Sequence, residues 1–285
     1  MSETVFLNGE FLPPAEAKVP VLDRGFLLGD AVYEILPAYG RRLFRLREHL
    51  ARLRHSLASV RIADPYDEAR WTELLQTVVD RNPWHDQTVY LQVTRGVAPR
   101  DHGFPMPPVT PTVLIMSGPL RQPTDAQRAE GLHVITREDY RWLRCDIKTT
   151  SLIANCLLRQ EATDAGAAEV ILLRDGHVTE ASSANVFIVK GGVIVAPPKD
   201  HLILPGITYD LVLELAHTER LPFEMRDITL AELYAADEVW LSSSIREVIP
   251  VTQVDGMPIG KGTPGPVYRT MYALYQNYKG RTGRE

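Results

Sequence analysis

Short apolar runs in this chain are punctuated by residue pairs that accept a left-handed backbone, and such pairs fold the flanking strands back on each other. Val5-Phe6-Leu7 runs into Asn8-Gly9 and resumes as Glu10-Phe11-Leu12. Val170–Leu173 approaches Asp175-Gly176, and Ala184–Val189 is joined to Val193–Ala196 through Gly191-Gly192. Turns of this kind match the twist of antiparallel neighbours, whereas parallel strands need a crossover of about a dozen residues or more. The sheets are therefore expected to be largely antiparallel.

Further strands are expected at Val32–Leu36, Leu43–Leu46, Thr88–Thr94 and Thr112–Met116. Between them, Arg47–Val60 sets Leu50, Leu53, Leu57 and Val60 at helical spacing, with arginines and histidines on the other faces. Trp71–Val79 reads as a second amphipathic helix. In the second half, helices are expected near Leu152–Ala165, Tyr209–His217 and Leu230–Ala236, the last opened by Thr229 with Glu232 at capping-box spacing. The polar stretch 118–131 contains proline and lacks a strand pattern, although Asp125–Glu130 could form a short helix. The expected organisation is an α/β chain of α+β type. An N-terminal domain spans 1–120, a linker 121–131, and a C-terminal domain 132–285.

Composition removes several classes of function. With 45% hydrophobic and 24% charged residues among 285, the chain has the balance of an ordinary globular protein. A net charge of −5 gives no reason to expect nucleic acid or an anionic membrane as partner. No apolar run reaches the roughly 18 residues of a membrane span. Nor does the N-terminus carry a basic region followed by an apolar one, so a soluble, cytoplasmic protein is expected. Two cysteines, Cys145 and Cys156, cannot build a disulfide framework or a four-thiolate site, and His102 has no partner at metal-ligand spacing. No metal is expected.

Of 31 basic side chains only six are lysines, so each can be judged singly. Lys18, Lys190, Lys199, Lys261 and Lys279 sit in polar, proline or glycine contexts and read as solvated. Lys148 lies among Leu143, Cys145, Ile147, Leu152 and Ile153. A partly desolvated amine loses its proton more readily, as a Schiff-base nucleophile must. The residues alone leave open a plainer alternative, a lysine snorkelling from a strand end.

The segment RWLRCDIKTTSLIAN, followed by EATDAGAAEVILLRDGHVTEASSANVF, resembles class IV pyridoxal-phosphate aminotransferases (fold type IV), and within that class the D-amino-acid aminotransferases. The resemblance extends from DRGFLLGDAVYE through VTRGVAPRDHGFP and LILPGITYD to SSSIREVIPV, nearly the whole chain. It implies two domains with pyridoxal 5'-phosphate between them and Lys148 as its Schiff-base lysine and proton carrier. Glu180 falls where an acid faces the pyridine nitrogen, and Leu204 where an aliphatic side chain packs on the ring. Gly206, Ile207 and Thr208, ahead of an expected helix, match the phosphate cradle together with Ser243, Ser244 and Arg52. Ser183 falls among the cofactor contacts. Taken singly, Glu180 is an exposed strand glutamate, Thr208 a helix cap and Arg52 a solvated helix arginine. Ala181 and Ala184 replace Gly and Ser common in the family, and Ile245 and Arg246 replace small polar residues.

Arg100 and His102 match the pair that, in D-amino-acid aminotransferases, reaches from the neighbouring subunit. With Tyr33 they would bind the substrate α-carboxylate, for which an arginine fork is suited. The resemblance thus implies a homodimer that transaminates D-amino acids with a 2-oxo acid by a ping-pong mechanism. Same-fold alternatives are a branched-chain L-amino-acid aminotransferase, an (R)-amine transaminase or a 4-amino-4-deoxychorismate lyase. A cofactor-free scaffold on this fold would not need Lys148, Glu180, Arg52 and Thr208 together.

Overall fold

The computed structural model describes residues 3–282, so the first two residues of the expected first domain and the last three of the second lie outside it. Two compact units divide the chain: Met1–Arg121 with Ile147–Leu152, and Gln122–Asp146 with Ile153–Glu285.

In the first unit the elements are β1 (Val5–Leu7), β2 (Glu10–Leu12), α1 (Arg24–Leu28), β3 (Ala31–Tyr39), β4 (Arg42–Leu43), α2 (Leu46–Ser59), α3 (Glu68–Arg81), β5 (Gln87–Thr94) and β6 (Thr112–Pro119). The strands form an antiparallel sheet in the order β2-β1-β6-β5-β3-β4. Asn8 and Gly9 take φ of 48° and 104°, the left-handed values that their hairpin requires. The expected strand Leu43–Leu46 is shorter than its apolar residues suggest. Arg45 adopts φ 56°, which ends β4 and lets Leu46 open α2. Leu50, Leu53 and Leu57 of α2 and Trp71, Leu74, Leu75 and Val78 of α3 pack on Val32, Leu36, Val89, Leu91 and Ile115 of the sheet.

The second unit contains α4 (Asp125–Glu130), β7 (Leu132–Glu138), α5 (Ile153–Asp164), β8 (Glu169–Arg174), β9 (His177–Ala181), β10 (Asn185–Lys190), β11 (Val193–Ala196), α6 (Ile207–Thr218), β12 (Phe223–Met225), α7 (Leu230–Tyr234), β13 (Glu238–Ser243), β14 (Glu247–Val254), β15 (Met257–Pro258) and α8 (Pro266–Thr282). Its sheet runs β12-β11-β10-β13-β14-β7-β8-β9, with β15 on β14. Most pairs are antiparallel, but β7 lies parallel to both β14 and β8, and β11 to β12. A parallel β7–β8 pair demands a long crossover, and the one present carries α5 and the segment Ile147–Leu152. The stretch 121–131 is structured: Thr124 caps α4 in a capping box with Gln127, and Gln122 binds Glu247. Arg121 falls in the first unit and 122–131 in the second. The core joins Val134, Ile171, Val186, Ile188, Val239, Leu241, Ile249 and Val251.

Candidate active site

In the first unit the site grows from α2 and β3. Burial on β3 alternates, and Glu34 faces inward with Val32, Leu36 and Ala38. A carboxylate in that row is tolerable only if it is paired. Opposite it, α2 presents His49, Arg52 and Ser56, spaced three and four residues apart and therefore on one face. Arg52 donates from Nε to Glu34 Oε1 and from Nη2 to Oε2, both at 2.8 Å. His49 Nδ1 lies 2.8 Å from Oε2. Burial works to raise the Glu34 pKa, but the Arg52 charge and the hydrogen bonds from Arg52 and His49 outweigh it and hold the carboxyl at about 2. Burial lowers the His49 pKa against the pull of Glu34, keeping the imidazole neutral. The arginines and histidines of α2 are thus not all on outer faces: Arg52 is buried because Glu34 balances its charge, and His49 because its ring nitrogen is paired with Glu34.

Lys148 sits half-buried beside this cluster. Its backbone N–H donates to Ser56 Oγ at 3.2 Å, and its carbonyl accepts from the Tyr33 N–H at 2.9 Å. Thr149 bridges to Val32, and its hydroxyl donates to the Ala31 carbonyl. Lys148 is thereby stitched to both β3 and α2, with Nζ 4.3 Å from the centre of the Tyr33 ring. Tyr33 in turn stacks on Tyr90 at 5.7 Å. Lys148, Tyr33 and Arg52 are brought into one neighbourhood. Arg100 and His102 lie instead on the exposed loop after β5, and neither has a hydrogen bond or ion pair among the described residues.

In the second unit Glu180 is buried on β9, not exposed. It accepts from Arg141 Nη1 (2.6 Å), Asn185 Nδ2 (3.3 Å) and the Leu204 N–H (3.1 Å). Arg141 is shared, because Asp139 takes its Nε and Nη2 at 2.9 and 2.8 Å. Burial pushes the Glu180 pKa up; Arg141 and the hydrogen bonds oppose it, and nearby Asp139 adds to the rise.

Asn185 extends this corner to the start of α6. It also donates to the Leu204 carbonyl at 2.9 Å, and a Cβ on Gly206 would meet its Oδ1 at 2.0 Å. Only glycine fits there. No side chain caps α6 behind Gly206, and Ile207 and Thr208 are buried at its first turn. Glu180, Leu204, Gly206, Ile207 and Thr208 are thus brought together. A carboxylate wanting a further positive partner, beside helix N–H groups suited to an anion, fits a phosphorylated pyridine.

Ser183 does not face Glu180. Its hydroxyl donates to Glu169 at 3.2 Å, as Ser182 also does, and Arg246 Nη1 pairs with the same buried carboxylate at 2.8 Å. The Arg246 N–H reaches Ser243 Oγ, so Ser183, Ser243 and Ser244 belong to one turn region organised by Glu169. Glu34, His49, Arg141 and Glu169 escaped the sequence reading. The one available signal was spacing, which sets His49, Arg52 and Ser56 on a common helix face. Among the described residues no cluster could hold a metal ion.

Comparison with known proteins adds a second line. The family model for amino-transferase class IV matches residues 31–254. D-alanine aminotransferase of Bacillus licheniformis is 43% identical over 273 residues, 96% of each chain. The Staphylococcus aureus (strain N315) D-alanine aminotransferase is 39% identical, covering 97% of this chain and 98% of its own. Among solved structures, the T.th. branched-chain amino acid aminotransferase with pyridoxamine 5'-phosphate superposes with a TM-score of 0.90 at 30% identity, covering 97% of this chain and 93% of that one. Its Escherichia coli counterpart gives 0.87 at 26%, covering 96% and 93%.

Proposed function

Because the chain belongs to the class IV aminotransferases, we propose that it is a pyridoxal-phosphate enzyme moving the amino group of a D-amino acid to a 2-oxo acid. The observation that carries the cofactor assignment is the Asn185 corner, where a buried carboxylate and an uncapped helix start are fastened together. Two D-alanine aminotransferases at about 40% identity, with the exposed Arg100 and His102, support the choice of a D-substrate.

Bound there, pyridoxal phosphate supplies an electron sink for the charge left when the substrate Cα–H bond breaks. Glu180 holds the proton on the ring nitrogen, Leu204 packs on the ring, and Lys148 carries the cofactor and moves the Cα proton. Arg52, the N–H groups of Gly206, Ile207 and Thr208, and Ser243 and Ser244 bind the phosphate. Ser183 supports this turn through Glu169. Tyr33, Arg100 and His102 bind the α-carboxylate, the latter two from the partner in a homodimer, so that one face of Cα is presented to Lys148. We take the enzyme to be cytoplasmic; no helix among the described residues is long and apolar enough to cross a membrane.

Borohydride reduction of the loaded protein followed by peptide mapping should place the cofactor mass on Lys148; another lysine would overturn the site. A coupled assay with matched D- and L-amino acids tests the substrate, and preference for L-amino acids would move the assignment to the branched-chain type. Mixing inactive Lys148→Ala chains with Arg100→Ala chains, at a D-amino acid concentration too low for the latter to turn over appreciably alone, should restore activity. No recovery despite verified subunit exchange would remove the shared site.

A further inference from the structure

Arg24 in α1 is only 2% exposed, yet two of its three side-chain hydrogen bonds go to a loop rather than into a core. Nε donates to Asp30 Oδ2 at 2.8 Å, while Nη1 donates to the carbonyls of Asp101 at 2.6 Å and Gly103 at 3.2 Å. Asp30 also takes Nε and Nη2 of Arg95 at 2.7 and 2.9 Å. Arg95 donates onward to the carbonyls of Val60 and Arg61, and its guanidinium lies 3.7 Å from the centre of the Phe104 ring. One carboxylate thus sets two arginines, one holding the loop by its backbone and the other by its aromatic residue. The start of the loop is fastened separately, by the Arg24 N–H to the Gly96 carbonyl and the Ala98 N–H to the Leu22 carbonyl.

The carbonyls held by Arg24 are those of residues 101 and 103, which flank His102 and follow Arg100. We propose that Arg24 is a positioning residue for substrate-carboxylate binding, fixing the backbone from which Arg100 and His102 project. This rests on the reading of that pair as the carboxylate ligands. Arg24 touches neither substrate nor cofactor. Its fork holds Asp30 through Nε and both carbonyls through Nη1, a fixed arrangement that a lysine ammonium on a flexible stem reproduces less well. With the loop released, each binding event must order it, a cost that appears in KM and not in kcat.

The test is steady-state kinetics of the loaded, full-length enzyme with D-alanine, on Arg24→Gln, Arg24→Lys and Arg100→Ala. Arg24→Gln should raise KM roughly tenfold, as loss of charge-assisted hydrogen bonds predicts, with kcat and cofactor absorbance near wild type. Arg24→Lys should fall between the two. In an Arg100→Ala background, Arg24→Gln should change KM by less than about twofold, because it acts only through that pair. Should Arg24→Gln fail to fold, Phe104→Ala, at a half-exposed position, carries the same expectations. An unchanged KM, or an Arg24 effect that persists in full without Arg100, would overturn the proposal. If Arg100→Ala itself leaves KM unchanged, the carboxylate reading beneath it is what fails.

Discussion

Glu34 and Glu180 are both buried carboxylates facing an arginine, and their protonation is driven in opposite directions. Arg52 gives Glu34 two parallel hydrogen bonds and His49 a third, so the ion is fully matched. Arg141 gives Glu180 a single nitrogen, because Asp139 occupies the rest of its fork. Burial costs the two carboxylates alike; the geometry of the arginine decides which of them is satisfied. The fully paired ion holds structure; Glu180, with one hydrogen bond from a charged donor and two from Asn185 and the Leu204 N–H, is available to a ligand. In the proposed chemistry Glu34 secures the phosphate arginine and the ground beneath Lys148, while Glu180 awaits a ring proton.

The largest way to break this comparison is Glu34→Leu. It strands the buried Arg52 charge, and urea denaturation should show a loss of about 3–5 kcal/mol. Glu180→Gln, tested alongside, should leave stability at neutral pH unchanged or higher, since it removes a carboxylate whose ionisation the fold disfavours. A comparable loss in both variants would erase the distinction.

Acid sharpens it next. The Glu34 carboxyl is held at about 2 in the folded protein against 4.5 in the unfolded chain. Its contribution is therefore complete above 4.5 and fades as pH falls toward 2, by about 3 kcal/mol in total. Denaturation curves of the wild type should lose that increment relative to Glu34→Leu over this interval; parallel pH profiles would show that Glu34 is not the acid-sensitive ion.

Glu180→Gln cannot hold a ring proton by charge. Single-turnover mixing should show proton transfer slowed by about a hundredfold, with phosphate retention little affected. Near-wild-type rates would remove Glu180 from the chemistry. Smallest of all, Asp139→Asn should leave Arg141 with more charge for Glu180 and shift the carboxyl titration of the apoprotein downward, as measured by NMR. An upward shift would mean that Asp139 acts by orienting Arg141 and not by repelling Glu180.

Much of the first unit was legible. The Asn8-Gly9 hairpin and the apolar spacing of α2 and α3 report local preferences that the tertiary structure had no reason to override. The burial of His49 and Arg52 was not legible, because helical spacing says which residues share a side without saying what lies opposite. Glu34 lies 15 and 18 residues from them on another element. In the second unit β13 and β14 went unread for a related reason: buried along almost their whole length, they lack the alternation that marks a half-exposed strand. In α8, Tyr268, Met271 and Tyr275 are buried on one face, yet the polar residues between them hid the pattern.

Sequence by itself determined the antiparallel bias, the helices with one apolar face, and Lys148 as the lysine set among apolar neighbours, since each depends on residues close along the chain. Tertiary structure decided which carboxylates are matched. That depends on whether a guanidinium gives two nitrogens to one carboxylate, as Arg52 does to Glu34, or is divided, as Arg141 is between Asp139 and Glu180, and hydrogen-bond directions across distant elements are written in no local spacing.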